Sequence, residues 1–277
     1  MNAFQKVIKY LAMAFAIFLC VSIIGGILTA LTGISYLFSD KEESAVGDMQ
    51  TYAVDGEVSS LELELSGAEL KIKTAEEFSV ESNHNYISVN VKNGQLCIQE
   101  TKKWFSHSLK GVKVILNIPE GFTFDEADIE TGAGRVEIDA LCADALELSL
   151  GAGEVRINDL TANSRAKIEG GAGELSIDGG KLCNLKLNMG VGELNLKSRM
   201  EGHSSLNYGV GEANLTLIGS REDYQIELDK GIGEAKIEGT EMQDDSVYGA
   251  GSNKIEIDGG IGAIHITFAE NEVQKAA

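Results

Sequence analysis

One heptad recurs seven times in the chain and fixes what it can fold into. GAGRVEI begins at Gly132, GAGEVRI at Gly151, GAGELSI at Gly171, GVGELNL at Gly190, GVGEANL at Gly209, GIGEAKI at Gly231 and GIGAIHI at Gly260. The first glycines are separated by 19, 20, 19, 19, 22 and 29 residues. The second glycines are Gly134, Gly153, Gly173, Gly192, Gly211, Gly233 and Gly262. The seven pairs account for 14 of the 32 glycines, so the glycine excess belongs to the repeat and these are its structural glycines. A degenerate eighth copy reads Ser66-Gly67-Ala68-Glu69-Leu70-Lys71-Ile72, and the last interval is lengthened by an acidic insertion around Met242 to Asp245.

Apolar residues alternate on both sides of each glycine pair, as in Leu146 and Leu148 before Gly151 and Val155 and Ile157 after Gly153. Period-two alternation over four to six residues is the signature of a strand, and no 3.6-residue period survives after residue 57. The glycines supply backbone angles closed to other residues and so allow a tight corner between two short strands. The aliphatic residue between them is expected to point inward. The sequence therefore predicts an all-β chain, a β-solenoid of about 20-residue rungs stacked about 4.8 Å apart. An antiparallel β-sandwich or meander, with Gly-x-Gly closing hairpins, is the competing fold. Near-constant rung length favours the solenoid, because stacking requires it and a meander does not.

The charge is distributed unevenly. Residues 1–39 hold Lys6 and Lys9 and no acid, leaving 21 basic and 43 acidic side chains over residues 40–277, a net of -22. Such a surface repels phosphates, which excludes nucleic acid as a partner. From Tyr10 to Ser39 thirty residues carry no ionisable charge. About 20 apolar residues cross a bilayer as a helix, so 10–39 is expected to be one N-terminal transmembrane α-helix. Lys6 and Lys9 before it, with Asp40, Glu42 and Glu43 after it, place residues 1–9 in the cytoplasm and the acidic part outside. The run is twice the length of a signal-peptide apolar region and ends in Tyr36-Leu37-Phe38 rather than a small-residue cleavage site, so an uncleaved single-pass anchor is read. Residues 40–57 read as an acidic stalk, 58–118 as an irregular β region capping the repeats, 119–268 as the repeat domain and 269–277 as a tail.

The stretch Asn117-Ile118-Pro119-Glu120-Gly121-Phe122, followed by Ile129-Glu130-Thr131-Gly132-Ala133-Gly134, resembles the bacterial β-strand-repeat family of adhesin-like proteins. That family includes the LiaG-like membrane proteins of Gram-positive cell-envelope stress operons, and the similarity covers residues 58–268. The resemblance implies a surface or envelope role and fits a membrane-anchored protein; with no Ser-His-Asp, Cys-His or metal-ligand grouping in the chain, a non-catalytic binding or structural role without a cofactor is expected. The lipid bilayer through residues 10–39, envelope components, other membrane proteins and, from the net charge of -22, cationic peptides are the expected partners. Two alternatives stand beside it: an accessory of an envelope-stress signalling system that senses cationic peptides, and a β-helical enzyme acting on wall or capsule polysaccharide.

Few residues suggest chemistry. A dinucleotide loop needs a third glycine opening a helix, whereas here the chain continues as a strand. Glu154, Glu174, Glu193, Glu212 and Glu234 share one repeat position and in a solenoid would form a column of carboxylates, a candidate site for a hard cation. Splaying into solvent beside Arg156, Lys197 and Lys236 is the simpler expectation for that column. Lys102, Lys103, Trp104, Phe105 and His107 form a basic, aromatic segment, a candidate contact loop. Cys142 and Cys183 lie two rungs apart, about 9.6 Å, too far for a disulfide.

Overall fold

The computed structural model describes residues 46–101 and 111–270. The expected membrane segment 10–39 and the contact loop Lys102, Lys103, Trp104, Phe105 and His107 lie outside the described residues. Among those described, no helix is long and apolar enough to cross a membrane. The strands are, in order, β1 (Val46–Ala53), β2 (Ser60–Leu65), β3 (Glu69–Ala75), β4 (Ser79–His84), β5 (Ile87–Lys92), β6 (Gln95–Glu100), β7 (Lys113–Pro119) and β8 (Phe124–Ile177). Then come β9 (Lys181–Cys183), β10 (Leu185–Glu201), β11 (His203–Ile218), β12 (Tyr224–Asp229), β13 (Ile232–Ile237), β14 (Thr240–Glu241), β15 (Ser246–Gly249) and β16 (Asn253–Ala269). Part of the stretch read as a stalk is thus β1, paired antiparallel with β4.

The strands on either side of a glycine pair do not fold back on each other; they pair in parallel with their equivalents in the neighbouring rung. Leu187 faces Ile168 on one side and Leu206 on the other. Leu206 faces Ile257, which faces Leu228. This ladder is a β-solenoid, and the hairpin alternative is excluded. Side chains facing inward from successive rungs stack into columns. Ile168, Leu187, Leu206, Ile257 and Leu228 make one, and Leu175, Leu194, Ala213, Ile264 and Ala235 another, every member buried. Burial of each large aliphatic stabilises the fold by about 2 kcal/mol, so the core energy is spread evenly along the stack.

Stacking departs from chain order at both ends. The described residues make nine rungs, in the spatial order β6/β7, β2/β3, three turns of β8, β10, β11, β16 and β12/β13. The rungs at Gly209, Gly231 and Gly260, expected to stack in sequence, do not: β16 inserts between β11 and β12/β13. Gly262 marks the correction. Sequence order would set it at the end of the glycine stack, beyond Gly233, with Gly233 against Gly211. Instead Gly262 is in register with Gly211 on one side and Gly233 on the other. The degenerate copy at Ser66 is a true rung, since a Cβ on Gly132 would overlap the Ser66 carbonyl oxygen. The first and last rungs of the sequence are each tucked one place in from the end, where two parallel neighbours hold them against fraying. The outermost rungs are closed by antiparallel strands. β5 pairs with β6 and β4 with β7 at one end, while β15 pairs with β12 and β14 with β13 at the other. The acidic insertion of the last repeat therefore lies between two capping strands, β14 and β15.

Candidate functional site: the glycine corner and its flanking columns

The corner geometry explains the glycines individually. The second glycine of each pair has positive φ, from 130° at Gly173 to 154° at Gly233, with 147° at Gly262. A Cβ on Gly192 would overlap the carbonyl oxygen of Gly173, and one on Gly262 that of Gly211. Corners thus stack backbone on backbone, and a side chain at either glycine would force the rungs apart.

The residue between the glycines does not point inward, contrary to the alternation argument. Val191 is 51% exposed, Ile232 40% and Val210 39%, and Ala133, Ala152 and Ala172 are exposed as well. The cause is a change of parity. Inward-facing Leu150 and Val155 are five residues apart, an odd number that period two cannot bridge. The positive φ of the second glycine absorbs the extra residue and turns the middle side chain out. These side chains stack in register, Ala172 to Val191 to Val210 to Ile261 to Ile232. Of five large hydrophobics exposed among the described residues, three belong to this one column.

Carboxylates flank the column. On one side, Glu174, Glu193 and Glu212 are in register, as expected, but Ala263 then separates Glu212 from Glu234. The N-terminal members are neutralised locally. Arg135 lies 2.9 Å from Glu154, and Arg156 lies 2.6 Å from Glu154 and 3.8 Å from Glu174. Lys236 lies 2.7 Å from Glu234 and holds that carboxyl below its ordinary range through their hydrogen bond. Glu193 accepts a hydrogen bond from Asn195 at 2.9 Å, and neither it nor Glu212 has an ion-pair partner among the described residues. No group of three or more potential metal ligands occurs among the described residues, so the carboxylates do not converge on one point. On the other flank the outward column runs Glu169, Asn188, Asn207, Asp258, Asp229. Asn207 donates to Asn188 at 2.8 Å, and an open groove of about 540 Å³ lies between this column and the corner.

Farther along the same face Glu62 is in register with both Asp128 and Cys97. Burial, then the neighbouring Glu147, Glu130, Glu62 and Glu126, push the Asp128 carboxyl above its ordinary range. A carboxyl raised by folding binds its proton more tightly when folded. Its contribution to stability is therefore full below the unfolded-state value and is lost as pH rises through the folded one. Asp128→Asn should accordingly raise the melting temperature at pH 7 and leave it unchanged near pH 3. Thermal unfolding at both pH values checks this, and equal effects at the two would contradict it. The three described cysteines, Cys97, Cys142 and Cys183, are free thiols, as the spacing of Cys142 and Cys183 predicts for that pair. Burial raises the Cys97 and Cys183 thiols, which keeps them protonated and weakly nucleophilic. His203 lies 3.2 Å from Glu256, and His265 stacks between Asn214 and Lys236.

Among the described residues, parallel rungs with bare glycine corners stack between residues 60 and 269. The Toastrack family model, DUF4097, matches residues 56–267. The chain belongs to the Toastrack family. The match spans nearly all of residues 58–268, the stretch that resembles adhesin-like β-strand-repeat proteins. Among solved structures, a candidate cell adhesion protein of Clostridium sporogenes is 18% identical, with 80% of this chain and 99% of that one covered and a TM-score of 0.39. A candidate adhesin of Bacteroides fragilis is 13% identical over 79% of this chain and 96% of its own, with a TM-score of 0.40. A candidate lipid binding protein of Parabacteroides distasonis is 12% identical over 82% and 98%, with a TM-score of 0.31. Comparison with curated proteins finds no match.

Proposed function

We propose that this Toastrack protein is a single-pass membrane protein, anchored by residues 10–39, whose solenoid acts outside the cell as a non-catalytic binding module of the envelope. The observation that carries the reading is the repetition itself. Successive rungs bring the same outward residue type into one column about 4.8 Å apart, so the surface offers a repeated contact rather than a single convergent site. A net charge of -22 over residues 40–277 adds a long-range negative field that favours cationic ligands and envelope components. Within the family, the uncharged run and its basic lead align the chain with the LiaG-like, membrane-anchored members. In an envelope-stress system the same module would couple ligand binding outside to the membrane segment.

Topology is tested on the intact cell. Protease added to spheroplasts should remove everything after residue 40, and protection of the solenoid would refute the orientation. Binding should weaken steeply as salt rises, because exposed charges are screened over about 8 Å at 0.15 M. Salt-insensitive binding would count against the reading, and hydrolysis of a wall glycan by the purified protein would replace it with the enzyme alternative.

A further inference from the structure

The exposed aliphatic column has no structural cause of its own. Its side chains face outward at a position where the corner demands only that the neighbours be glycine, and Thr or Ser would serve equally. The columns flanking it are polar at every position but Ala263. Along the column the side chains grow from Ala133, Ala152 and Ala172 to Val191, Val210, Ile261 and Ile232, with Ile261 half-buried between the exposed Val210 and Ile232. The electrostatics change at the same place: Glu154 and Glu174, beside the alanines, are paired with arginine, while Glu193 and Glu212, beside the valines, are not. On the opposite flank Asp258 and Asp229 accompany the two isoleucines. Half of the solenoid thus carries a bulky apolar ridge with one unneutralised carboxylate beside each rung, Glu193 and Glu212 on one flank and Asp258 and Asp229 on the other, while Glu234 is paired with Lys236.

We propose that the ridge of Val191, Val210, Ile261 and Ile232 docks a basic amphipathic helix of a partner polypeptide, laid along the solenoid axis. The inference rests on the binding role argued above and names its surface and partner. Spacing selects a helix. The ridge presents one aliphatic residue about every 4.8 Å, and a helix presents one per turn of about 5.4 Å, so the two slip by only about 2 Å over four rungs. An extended strand repeats about every 6.8 Å and slips by about 6 Å over the same length. Charge selects the basic sign, since a helix about 10 Å wide lying on the ridge overhangs Glu193 and Glu212 on one flank and Asp258 and Asp229 on the other. The same flanks oppose a second copy of the chain, which would bring like columns together. They also oppose an anionic bilayer surface.

The test uses the full chain in phosphatidylcholine nanodiscs and a 20-residue Leu/Lys helix carrying a fluorophore and a photo-crosslinker, with empty discs subtracted. A scrambled peptide of the same composition, lacking an apolar face, is the control. The helix should bind more tightly than the scrambled peptide and crosslink between residues 190 and 262. The triple variant Val191→Thr, Val210→Thr, Ile232→Thr keeps β-branching and should bind about tenfold more weakly with an unchanged unfolding midpoint. Glu193→Gln with Glu212→Gln should weaken binding about fivefold at low salt and flatten its salt dependence. Val191→Thr alone, with crosslink mapping, decides the matter should the triple variant misfold. Equal binding of helix and scrambled peptide, or helix binding indifferent to the Thr variants, would overturn the inference and leave the binding role standing. A peptide-free dimer abolished by the Thr variants would overturn it in favour of self-association. Binding of neither peptide would overturn both.

Discussion

Gly192→Ala should cost the solenoid about 4 kcal/mol, a large share of the roughly 5–15 kcal/mol that holds a domain folded. Two effects add. The backbone at Gly192 has φ of 144°, a region that L residues rarely adopt, and a Cβ there would overlap the Gly173 carbonyl oxygen. That oxygen belongs to the neighbouring rung's backbone and cannot rotate away, so the mutation must pry β10 from the third turn of β8. Gly239 separates the two contributions. Its φ is 76°, and a Cβ would meet nothing within 4 Å. Gly239→Ala carries backbone strain alone and should cost about 1 kcal/mol. Denaturant unfolding of the full chain in detergent, followed by the circular dichroism of the strands, measures both. Equal losses at the two sites would mean that strain alone, and not corner-on-corner contact, explains the glycine pairs.

The same corner shows how far the sequence could be read. Parallel stacking was legible because it rests on two local signals, the constant interval and the period-two runs, both of which describe one rung and are copied into the next. The direction of the middle residue was also present in the sequence, but as arithmetic rather than pattern. Leu148 and Val155 are an odd number of residues apart, so one reversal of facing must occur between them, and only the glycines can supply it. Reading each run separately, and carrying the alternation through the corner, placed Val191 and Val210 inside and hid the apolar ridge. The carboxylate column was legible as a repeat position, yet its interruption by Ala263 was not. That interruption, like the seat of Gly262 between Gly211 and Gly233, follows from the order of rungs, which is a long-range property. Nothing in the heptads from Gly231 and Gly260 says which will lie against Val210. The chain between Ile218 and Asn253 decides it, by turning at Arg221–Asp223, where Ser220 caps the turn and the Tyr224 hydroxyl donates to the Ile218 carbonyl at 2.7 Å. Such contacts carry no periodicity, so a reading based on period cannot find them.

That rung order gives the last segment of the sequence an effect out of proportion to its length. A chain ending after Ser252 lacks β16, which in a simple stack would be an end rung whose loss merely shortens the solenoid. Here β16 lies between β11 and β12/β13, contributing Ile255, Ile257, Ile264 and Ile266 to the core from one strand. Losing four buried isoleucines removes about 8 kcal/mol of apolar burial, and β12 and β13 lose their only parallel neighbour among the described residues. Residues 219–252 should then become accessible to protease while β8 and β10 remain protected, since each rung contacts only its neighbours. The opposing outcome has a definite physical form. GVGEANL and GIGEAKI are similar enough that β11 could pair directly with β13, setting Val210 against Ile232 and closing the gap. The crossover argues against this, because the turn at Arg221–Asp223, capped by Ser220, is built to span an intervening rung. Limited proteolysis with mass mapping of the truncated chain discriminates the two. Protection of residues 224–237 equal to that in the full chain would mean that the repeats, and not the crossover, set the order of the stack.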